Sequence, residues 1–283
     1  MAEQQREPQH QDHQPGERDE MSPPPNDNAS SYKGSGKLTG KAAIITGGDS
    51  GIGRSTAISF AKEGADVCIV YLEEDKDAEE TERLVRKAGG QALLMRGDIC
   101  DRDFCIKAVE AAAEEFGGLD IVVNNAAVQY PEEDFLAIKP ENLERTYQTN
   151  ILAMFHVTQA ALPHLREKGC VINTASITAF QGNPKLIDYS STKGAIVSFT
   201  RALAKSLVKK GIRVNAVAPG PVWTPLIPSS FDADDVAKFG SDNPMGRAAK
   251  ADEISPAFVF LASADANFIT GQIIHINGGE FLG

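Results

Sequence analysis

Short runs of aliphatic and β-branched residues recur along the chain from residue 37 onward, separated by longer stretches of mixed polarity. Uninterrupted apolar runs of this kind are typical of strands that are buried on both faces of a sheet. The pattern predicts seven such strands, at Ala42–Thr46, Val67–Tyr71, Ala92–Arg96, Ile121–Val123, Val171–Thr174, Arg213–Val217 and Gln272–Ile276.

The stretches between these strands have apolar residues at helical spacing, and each is followed by a glycine, a common residue after the end of a helix. They are Gly53–Glu63, Ala78–Ala88, Arg102–Phe116, Asn142–Lys168 and Tyr189–Lys210. Alternation of strand and helix predicts a parallel sheet with helices on both faces. Because no linker interrupts residues 37–283, we expect one doubly wound α/β domain with about seven strands rather than two smaller domains.

Residues 1–36 have a different composition, rich in Gln, Pro, Glu, Asp and Ser and poor in aliphatic side chains. Such a segment has too little apolar surface to offset the entropy lost on ordering it. It is therefore predicted to be a disordered polar extension. A role in binding a partner is the alternative.

The whole chain carries 28 Lys and Arg against 39 Asp and Glu, for a net charge of −11. This excess of acidic residues argues against nucleic acid or an anionic membrane as a partner. No apolar run is long enough to span a membrane, and the first 20 residues lack the apolar core of a secretory signal. The four cysteines lack the spacing of a metal site, so we expect reduced thiols, no metal and a cytoplasmic location.

The first predicted strand runs into a glycine-rich turn, Thr46–Gly53, that opens the first predicted helix. Glycines in such a turn let the backbone approach a pyrophosphate, which binds at the N-terminus of the helix. The glycines here are Gly47, Gly51 and Gly53, a GxxxGxG spacing rather than GxGxxG. Turns use glycine for other reasons, but a glycine cluster directly after the first strand of a βαβ unit indicates a nucleotide site.

This loop, TGxxxGIG at Thr46–Gly53, resembles the nucleotide loop of the single-domain short-chain dehydrogenase/reductases. Asp98 follows the third predicted strand, where that family contacts adenine. Asn124–Ala126 ends the fourth strand and is similar to the family's NNAG motif, although Ala127 replaces the glycine. Pro219–Gly220 ends the sixth strand, similar to the family's PGxxxT turn beside the nicotinamide.

The resemblance covers residues 37–283 and implies a catalytic Rossmann domain that binds NAD or NADP. It further implies that cofactor contacts come from the glycine loop, from the ends of the central strands and from the helix that follows. The residues so assigned are Gly47, Ser50, Gly51, Ile52, Gly53, Tyr71, Asp98, Ile99, Asn125, Ala126, Tyr189, Lys193, Pro219, Gly220, Val222 and Thr224.

Tyr189 and Lys193 are four residues apart, so on a helix both side chains project from one face. A free tyrosine has a pKa near 10, which is too high for a base at neutral pH, and a neighbouring ammonium group would lower it. Proton transfer to or from a carbonyl or alcohol oxygen requires a group tuned in this way. A Tyr-xxx-Lys spacing is common by chance, and it gains weight here from its place behind the glycine loop.

The resemblance implies a catalytic set of four residues. Tyr189 would be the acid and base, and Lys193 would tune it while holding the ribose hydroxyls. Ser176 would orient the substrate oxygen. Asn150 would hold the backbone geometry that keeps a water relay to Lys193.

The choice between NAD and NADP stays open on sequence grounds. The second predicted strand ends at Tyr71, where family members that prefer NAD carry an aspartate. Residues 72–75 bring three carboxylates that would repel a 2′-phosphate if they faced it. Members that prefer NADP often have a basic residue at the position of Ser50.

The substrate pocket is expected between the loops after the fourth, fifth and sixth strands, from Gln129, Tyr130 and residues 177–181 and 223–231. Few of these residues are charged, which favours a small neutral alcohol, aldehyde, ketone or sugar. The segment 223–231 would act as a lid, although Trp223 and Phe231 could simply pack within it.

The predicted function is an NAD(P)-dependent oxidoreductase that interconverts an alcohol and a carbonyl by hydride transfer. A sensor or scaffold that binds the cofactor without turnover is the alternative, but its expected signature, loss of Ser176, Tyr189 or Lys193, is missing. An epimerase or dehydratase of the family's longer branch would show a TGxxGxxG loop and a longer substrate domain.

The loop and the polar extension most resemble family members described as general stress or sugar-alcohol dehydrogenases. Apolar stripes on the helices predicted at 142–168 and after Tyr189 pair across a two-fold axis in this family, which implies a homodimer or homotetramer.

Overall fold

Neighbouring strands of the central sheet all run parallel, because helical segments carry the chain from one strand to the next. The computed structural model describes residues 3–283, and its main sheet has the strand order β3-β2-β1-β4-β5-β6-β9. The predicted doubly wound α/β class with seven parallel strands is therefore confirmed. The strands are β1 (Ala42–Thr46), β2 (Asp66–Tyr71), β3 (Ala92–Arg96), β4 (Leu119–Asn124), β5 (Leu165–Thr174), β6 (Arg213–Pro219) and β9 (Ile273–Ile276).

Helices cover both faces of this sheet. One face packs against α1, α2 and α9 through side chains such as Phe60 and Phe258, and the other packs against α3, α5 and α7 through side chains such as Val109 and Leu207. A short parallel pair, β7 (Val222–Trp223) with β8 (Ala249–Lys250), lies apart from the main sheet. The helices are α1 (Gly51–Lys62), α2 (Asp75–Lys87), α3 (Arg102–Glu115), α4 (Pro140–Tyr147), α5 (Ala153–Ala161), α6 (Thr178–Gln181), α7 (Ile187–Leu207), α8 (Ala233–Lys238) and α9 (Ala251–Ala262).

The prediction of a single long helix at Asn142–Lys168 is wrong. The chain forms α4, a π-helical turn at Gln148–Leu152 and then α5, which ends at Ala161. Pro163 follows immediately, and a proline inside a helix removes a backbone donor and clashes with the preceding turn. The residues from Leu165 onward instead form β5.

The structure also contradicts disorder in the N-terminal extension, within residues 3–36. Met21 is 5% exposed, and Asp27 and Ala29 are fully buried. The prediction from composition was wrong because it considered the extension alone. The extension has no core of its own but packs on apolar surface of the α/β domain. The prediction for residues 1 and 2 lies outside the described residues.

No helix within residues 3–283 is long and apolar enough to cross a membrane. Cys68, Cys105 and Cys170 are buried free thiols, and Cys100 is partly exposed.

Candidate active site

The carboxyl ends of β1, β4, β5 and β6 form the floor of a cavity of about 470 Å³. The cavity lies where the chain order in the sheet reverses, between β1 and β4. Side chains and loops at this reversal point of an open parallel sheet typically bind ligands. The volume is within the usual range for a small-molecule site.

The glycine loop forms one wall of the cavity and leads directly into α1. Gly47, Ser50, Gly51 and Ile52 all line the cavity, with Gly51 and Ile52 in the first turn of the helix. Gly53, which was predicted to contact the cofactor, does not line the cavity. A Cβ atom on Gly53 would lie 1.8 Å from the carbonyl oxygen of Gly47, so a glycine is needed here for packing inside the turn.

Asn125 connects the glycine loop to the neighbouring strands. Its Nδ2 atom donates to the carbonyl oxygens of Thr46 at 3.1 Å and Gly47 at 3.0 Å. Its Oδ1 atom accepts a hydrogen bond of 3.2 Å from the Thr174 hydroxyl. The carbonyl oxygen of Thr174 in turn accepts from Nζ of Lys193 at 2.8 Å. The loop and the predicted catalytic lysine are therefore joined through two side chains.

Three of the four predicted catalytic residues meet at the cavity. Ser176 follows β5, and Tyr189 and Lys193 lie one turn apart on α7. The Ser176 hydroxyl adjoins the Tyr189 phenol and accepts hydrogen bonds from the amide and hydroxyl of Thr178. Nζ of Lys193 lies 5.2 Å from the centre of the Tyr189 ring.

Burial dominates the electrostatics of this pair. It raises the pKa of Tyr189 to about 12, an effect that the neighbouring Ser176 hydroxyl only partly opposes. It lowers the pKa of Lys193 to about 7. The predicted lowering of the tyrosine pKa by the lysine is therefore not seen, because a buried amine near its pKa is only partly charged and acts weakly on the phenol.

Asn150 lies behind the cavity wall rather than in it. It is buried in the π-helical turn, where its Oδ1 atom accepts from the amide of Val128 at 2.9 Å and its Nδ2 atom donates to the Val128 carbonyl at 3.0 Å. Nδ2 also lies 3.2 Å from the hydroxyl of Thr192. Asn150 thus holds a lining residue and the neighbour of Lys193 in place.

The remaining predicted cofactor residues all line the cavity: Tyr71, Asp98, Ile99, Asn125, Ala126, Pro219, Gly220, Val222 and Thr224. Of the predicted substrate residues, Gln129, Ile177, Leu226, Ile227 and Phe231 line it, whereas Tyr130, Trp223 and Pro228 do not. The Trp223 indole instead donates to the carbonyl oxygen of Pro23 at 2.9 Å.

Two carboxyl groups that the sequence reasoning did not assign to the site lie along the same cavity. Asp49 in the glycine loop and Glu74 at the start of α2 are 5% and 8% exposed, next to Tyr71 and Leu72. Burial, followed by the charge of Glu74, raises the pKa of Asp49 to about 7. The acidic run after Tyr71 had indicated Glu74, but no sequence signal indicated the direction of Asp49.

The N-terminal extension also contributes to the cavity, through Gln14, Pro15 and Gly16. Sequence reasoning missed these residues because it assigned the whole segment to a disordered tail.

With the parallel sheet, the glycine loop and the Ser-Tyr-Lys group in one cavity, the chain has the architecture of a nucleotide-dependent oxidoreductase. A family model described as Enoyl-(Acyl carrier protein) reductase matches residues 47–280. The chain belongs to the short-chain dehydrogenase/reductase family.

Relatives extend over nearly the full chain. The uncharacterized oxidoreductase YhdF of Bacillus subtilis is 58% identical, with 98% of this chain and 96% of that protein covered. General stress protein 39 of the same organism is 52% identical over 97% and 96% of the two chains. The glucose and ribitol dehydrogenase of Daucus carota is 50% identical over 97% of each. The resemblance to stress and sugar-alcohol dehydrogenases is thus confirmed.

Two solved structures share the fold. A short-chain dehydrogenase from Burkholderia cenocepacia in complex with NADP has a TM-score of 0.81 and 31% identity, covering 86% of this chain and 99% of its own. A 3-ketoacyl-(acyl-carrier-protein) reductase from Brucella melitensis complexed with NADH has a TM-score of 0.79 and 36% identity. The match covers 87% of this chain and 100% of the reductase. Part of this chain therefore lies outside the fold shared with them.

The buried amine of Lys193 is expected to make stability depend on pH. Its pKa falls from 10.5 in the unfolded chain to about 7 in the folded protein. Between these values the unfolded chain binds a proton that the folded chain does not, so the free energy of unfolding should rise with pH. We expect a rise of roughly 3 kcal/mol between about pH 7 and 10, measured by urea denaturation.

Lys193→Met is the matched control, because it keeps the length of the side chain and removes the titrating group. Its unfolding free energy should lack this component of the pH dependence. Parallel pH profiles for the two proteins would show that Lys193 is already charged in the folded state.

Proposed function

We propose that this protein interconverts an alcohol and a carbonyl by hydride transfer with NAD or NADP, using Ser176, Tyr189 and Lys193. The proposal rests on one observation above all: the two hydroxyl groups adjoin each other in the cavity, with the buried amine one helical turn behind the phenol. Ser176 would donate a hydrogen bond to the substrate oxygen, and Tyr189 would give or take its proton. Asn150 would act as a positioning residue.

The residues around the cavity fit a dinucleotide. The first turn of α1 presents backbone amides and the positive end of a helix dipole to a pyrophosphate, and the amide of Gly51 among them is bonded to the Asp27 carboxylate. Asp98 and Ile99 would border the adenine, and Pro219, Gly220 and Thr224 would border the nicotinamide. When bound, the nicotinamide supplies or accepts the hydride. The protein would hold it against the substrate and exclude water.

The protonation state of Tyr189 favours carbonyl reduction at neutral pH. With a pKa of about 12, the phenol carries its proton and can donate it to a carbonyl oxygen. Alcohol oxidation needs the phenolate, so its rate should increase with pH. A cationic Lys193 would lower the pKa of Tyr189 and so support alcohol oxidation.

A small neutral substrate is supported by the end of the cavity nearest Ser176. Its lining is largely apolar, with Ile177, Leu186, Leu226, Ile227 and Phe231. Besides Lys193, the one cation that the described residues bring to the lining is Arg145, which is paired with Asp98, whereas Asp242 and Glu280 bring carboxylates that would repel an anionic substrate.

The two carboxyl groups at the opposite end support a preference for NAD over NADP. Asp49 and Glu74 lie beside Tyr71, where the adenosine ribose would sit, and both are removed from solvent that would screen them. An ionised carboxylate can accept hydrogen bonds from ribose hydroxyls, whereas it repels a 2′-phosphate.

A symmetric oligomer is supported by apolar side chains on the outer faces of α4, α5 and α7. Leu152 is 48% exposed and Phe155 is 42% exposed, and the Phe155 ring lies 4.6 Å from the Phe199 ring. Contiguous apolar surface of this kind marks protein interfaces. The homodimer or homotetramer and the cytoplasmic location remain predictions.

Replacing Tyr189 with Phe removes the proton donor and keeps the shape of the ring. We expect turnover, followed at 340 nm with NADH or NADPH and a panel of aldehydes and ketones, to fall about 10²- to 10⁴-fold. Nucleotide affinity should stay nearly unchanged. Tyr147→Phe, which removes a surface hydroxyl bonded to Ser191, is the control. Nucleotide binding with no turnover by the wild-type protein would favour the sensor or scaffold instead.

Asp49→Asn should weaken the discrimination against NADPH, because it removes one negative charge near the ribose. The ratio of NADPH to NADH affinity, measured by calorimetry, is expected to rise about tenfold, equivalent to about 1.4 kcal/mol. In the wild-type protein, NADPH affinity should also improve as pH falls through 7 and Asp49 becomes neutral. Glu73→Gln, at an exposed position outside the cavity, is the matched control. Equal ratios in all three proteins would refute the proposed preference.

Phe155→Glu places a charge on the proposed subunit interface. Light scattering after gel filtration should show a dimer or tetramer for the wild-type protein and smaller species for the variant. Leu136→Glu, at an exposed position on the loop before α4, should leave the assembly unchanged. A monomeric wild-type protein would refute the proposed symmetric oligomer.

A further inference from the structure

The N-terminal extension crosses the lid before it reaches the first helix. We name residues 3–36 the strap, and we extend the name lid from the predicted residues 223–231 to residues 223–239. The amide of Gln5 donates to the carbonyl oxygen of Ala237 at 2.7 Å, and the amide of Gln11 donates to that of Pro228 at 2.8 Å. These backbone bonds hold the strap along one side of the lid.

Side chains strengthen this contact. The Arg6 guanidinium group lies 4.0 Å from the centre of the Trp223 ring and donates to the carbonyl oxygen of Phe239 at 3.0 Å. Met21 packs in one apolar cluster with Trp223, Ile227 and Val236. The strap therefore fills the apolar surface that the lid would otherwise expose to water.

The middle of the strap bridges the lid and the loop after β4. The Gln14 side chain donates to the Gln129 carbonyl at 2.7 Å and accepts from the Gln129 amide at 3.3 Å. Two residues later, a Cβ atom on Gly16 would lie 2.5 Å from the carbonyl oxygen of Pro225 and 2.9 Å from Cβ of Ser229. Because Gln14, Pro15 and Gly16 all line the cavity, they close the space between these two loops.

The far end of the strap is anchored at the glycine loop. The fully buried Asp27 carboxylate accepts from Nε of Arg18 at 2.9 Å and from the amide of Gly51 at 3.2 Å, and it lies 3.7 Å from Arg54. A carboxylate with three such neighbours is fixed in position, and losing it would leave buried charges without a partner. The strap is thus joined to the body of the site and not only to the lid.

We propose that residues 14–16 of the strap are a specificity-determining wall of the substrate pocket, which limits the length of the carbonyl substrate that fits beside Tyr189. The proposal rests on the proposed function for the location of the substrate. Pocket walls of this kind discriminate between substrates that differ by methylene groups. Because residues 14–16 line the cavity between the lid and the loop after β4, moving the strap would lengthen the pocket.

Two variants of the full chain test the wall. Gln14→Ala removes both hydrogen bonds to Gln129, and Gly16→Ala introduces a Cβ atom that must push the strap away from the lid. Gln4→Ala is the matched control, because its side chain bonds only within the strap, to the carbonyl oxygen of Arg6. Hydrogen exchange of peptides covering residues 10–20 reports whether the wall has moved.

The measured quantity is the ratio of kcat/KM for octanal to that for propanal. We expect both wall variants to raise this ratio about tenfold over the wild-type protein and the control. NADH affinity, followed by quenching of Trp223, the only tryptophan, should stay nearly unchanged. An unchanged ratio in variants whose wall peptides exchange faster would overturn the proposal.

Binding separates this proposal from the proposed function. Octanamide and propanamide resemble the aldehydes but are not reduced, and calorimetry measures their affinity for the NADH-saturated proteins. A gain in octanamide affinity relative to propanamide in the wall variants supports the wall even if no aldehyde is turned over. The same relative affinity in wild type, control and variants overturns it.

Discussion

The geometry of the site depends on a chain of hydrogen bonds from the glycine loop to the buried Lys193. Asn125 holds the carbonyl oxygens of Thr46 and Gly47 with one end of its amide and the hydroxyl of Thr174 with the other. Thr174 in turn accepts from Lys193. Where these groups are buried, breaking one bond leaves its partner unsatisfied at a cost of about 1–3 kcal/mol. The glycine loop and α7 are therefore coupled through these bonds.

Burial that fixes these positions also sets the chemistry. The Tyr189 phenol keeps its proton and Lys193 readily loses its own at neutral pH, since neither charged form is solvated. The same effect at the other end of the cavity brings Asp49 to a pKa of about 7. Burial thus shifts the pKa values of Tyr189 and Lys193 at one end of the cavity and of Asp49 at the other.

The parts of the site that follow strand ends could be predicted because parallel strands bring their carboxyl ends to one edge. This applies to Ser176, Asn125 and Pro219. The packing of Gly53 against Gly47 could not be predicted, because glycine spacing alone cannot distinguish a residue that faces a ligand from one that packs inside the turn. The long helix was misjudged because its apolar spacing continued past Pro163, which a periodicity argument did not weigh.

By itself, the sequence determined the doubly wound fold, the position of the nucleotide loop and the residues of the proposed catalytic set. The fold and the loop follow from local periodicity and from the spacing of the glycines, whereas the catalytic set was implied by the resemblance to the short-chain dehydrogenase/reductases. Only the tertiary structure decided that the strap is ordered, that Asp49 faces the cavity and that burial outweighs the Tyr189–Lys193 attraction. The physical reason is that each of these depends on which surfaces meet and exclude water, and such contacts join residues far apart in the chain.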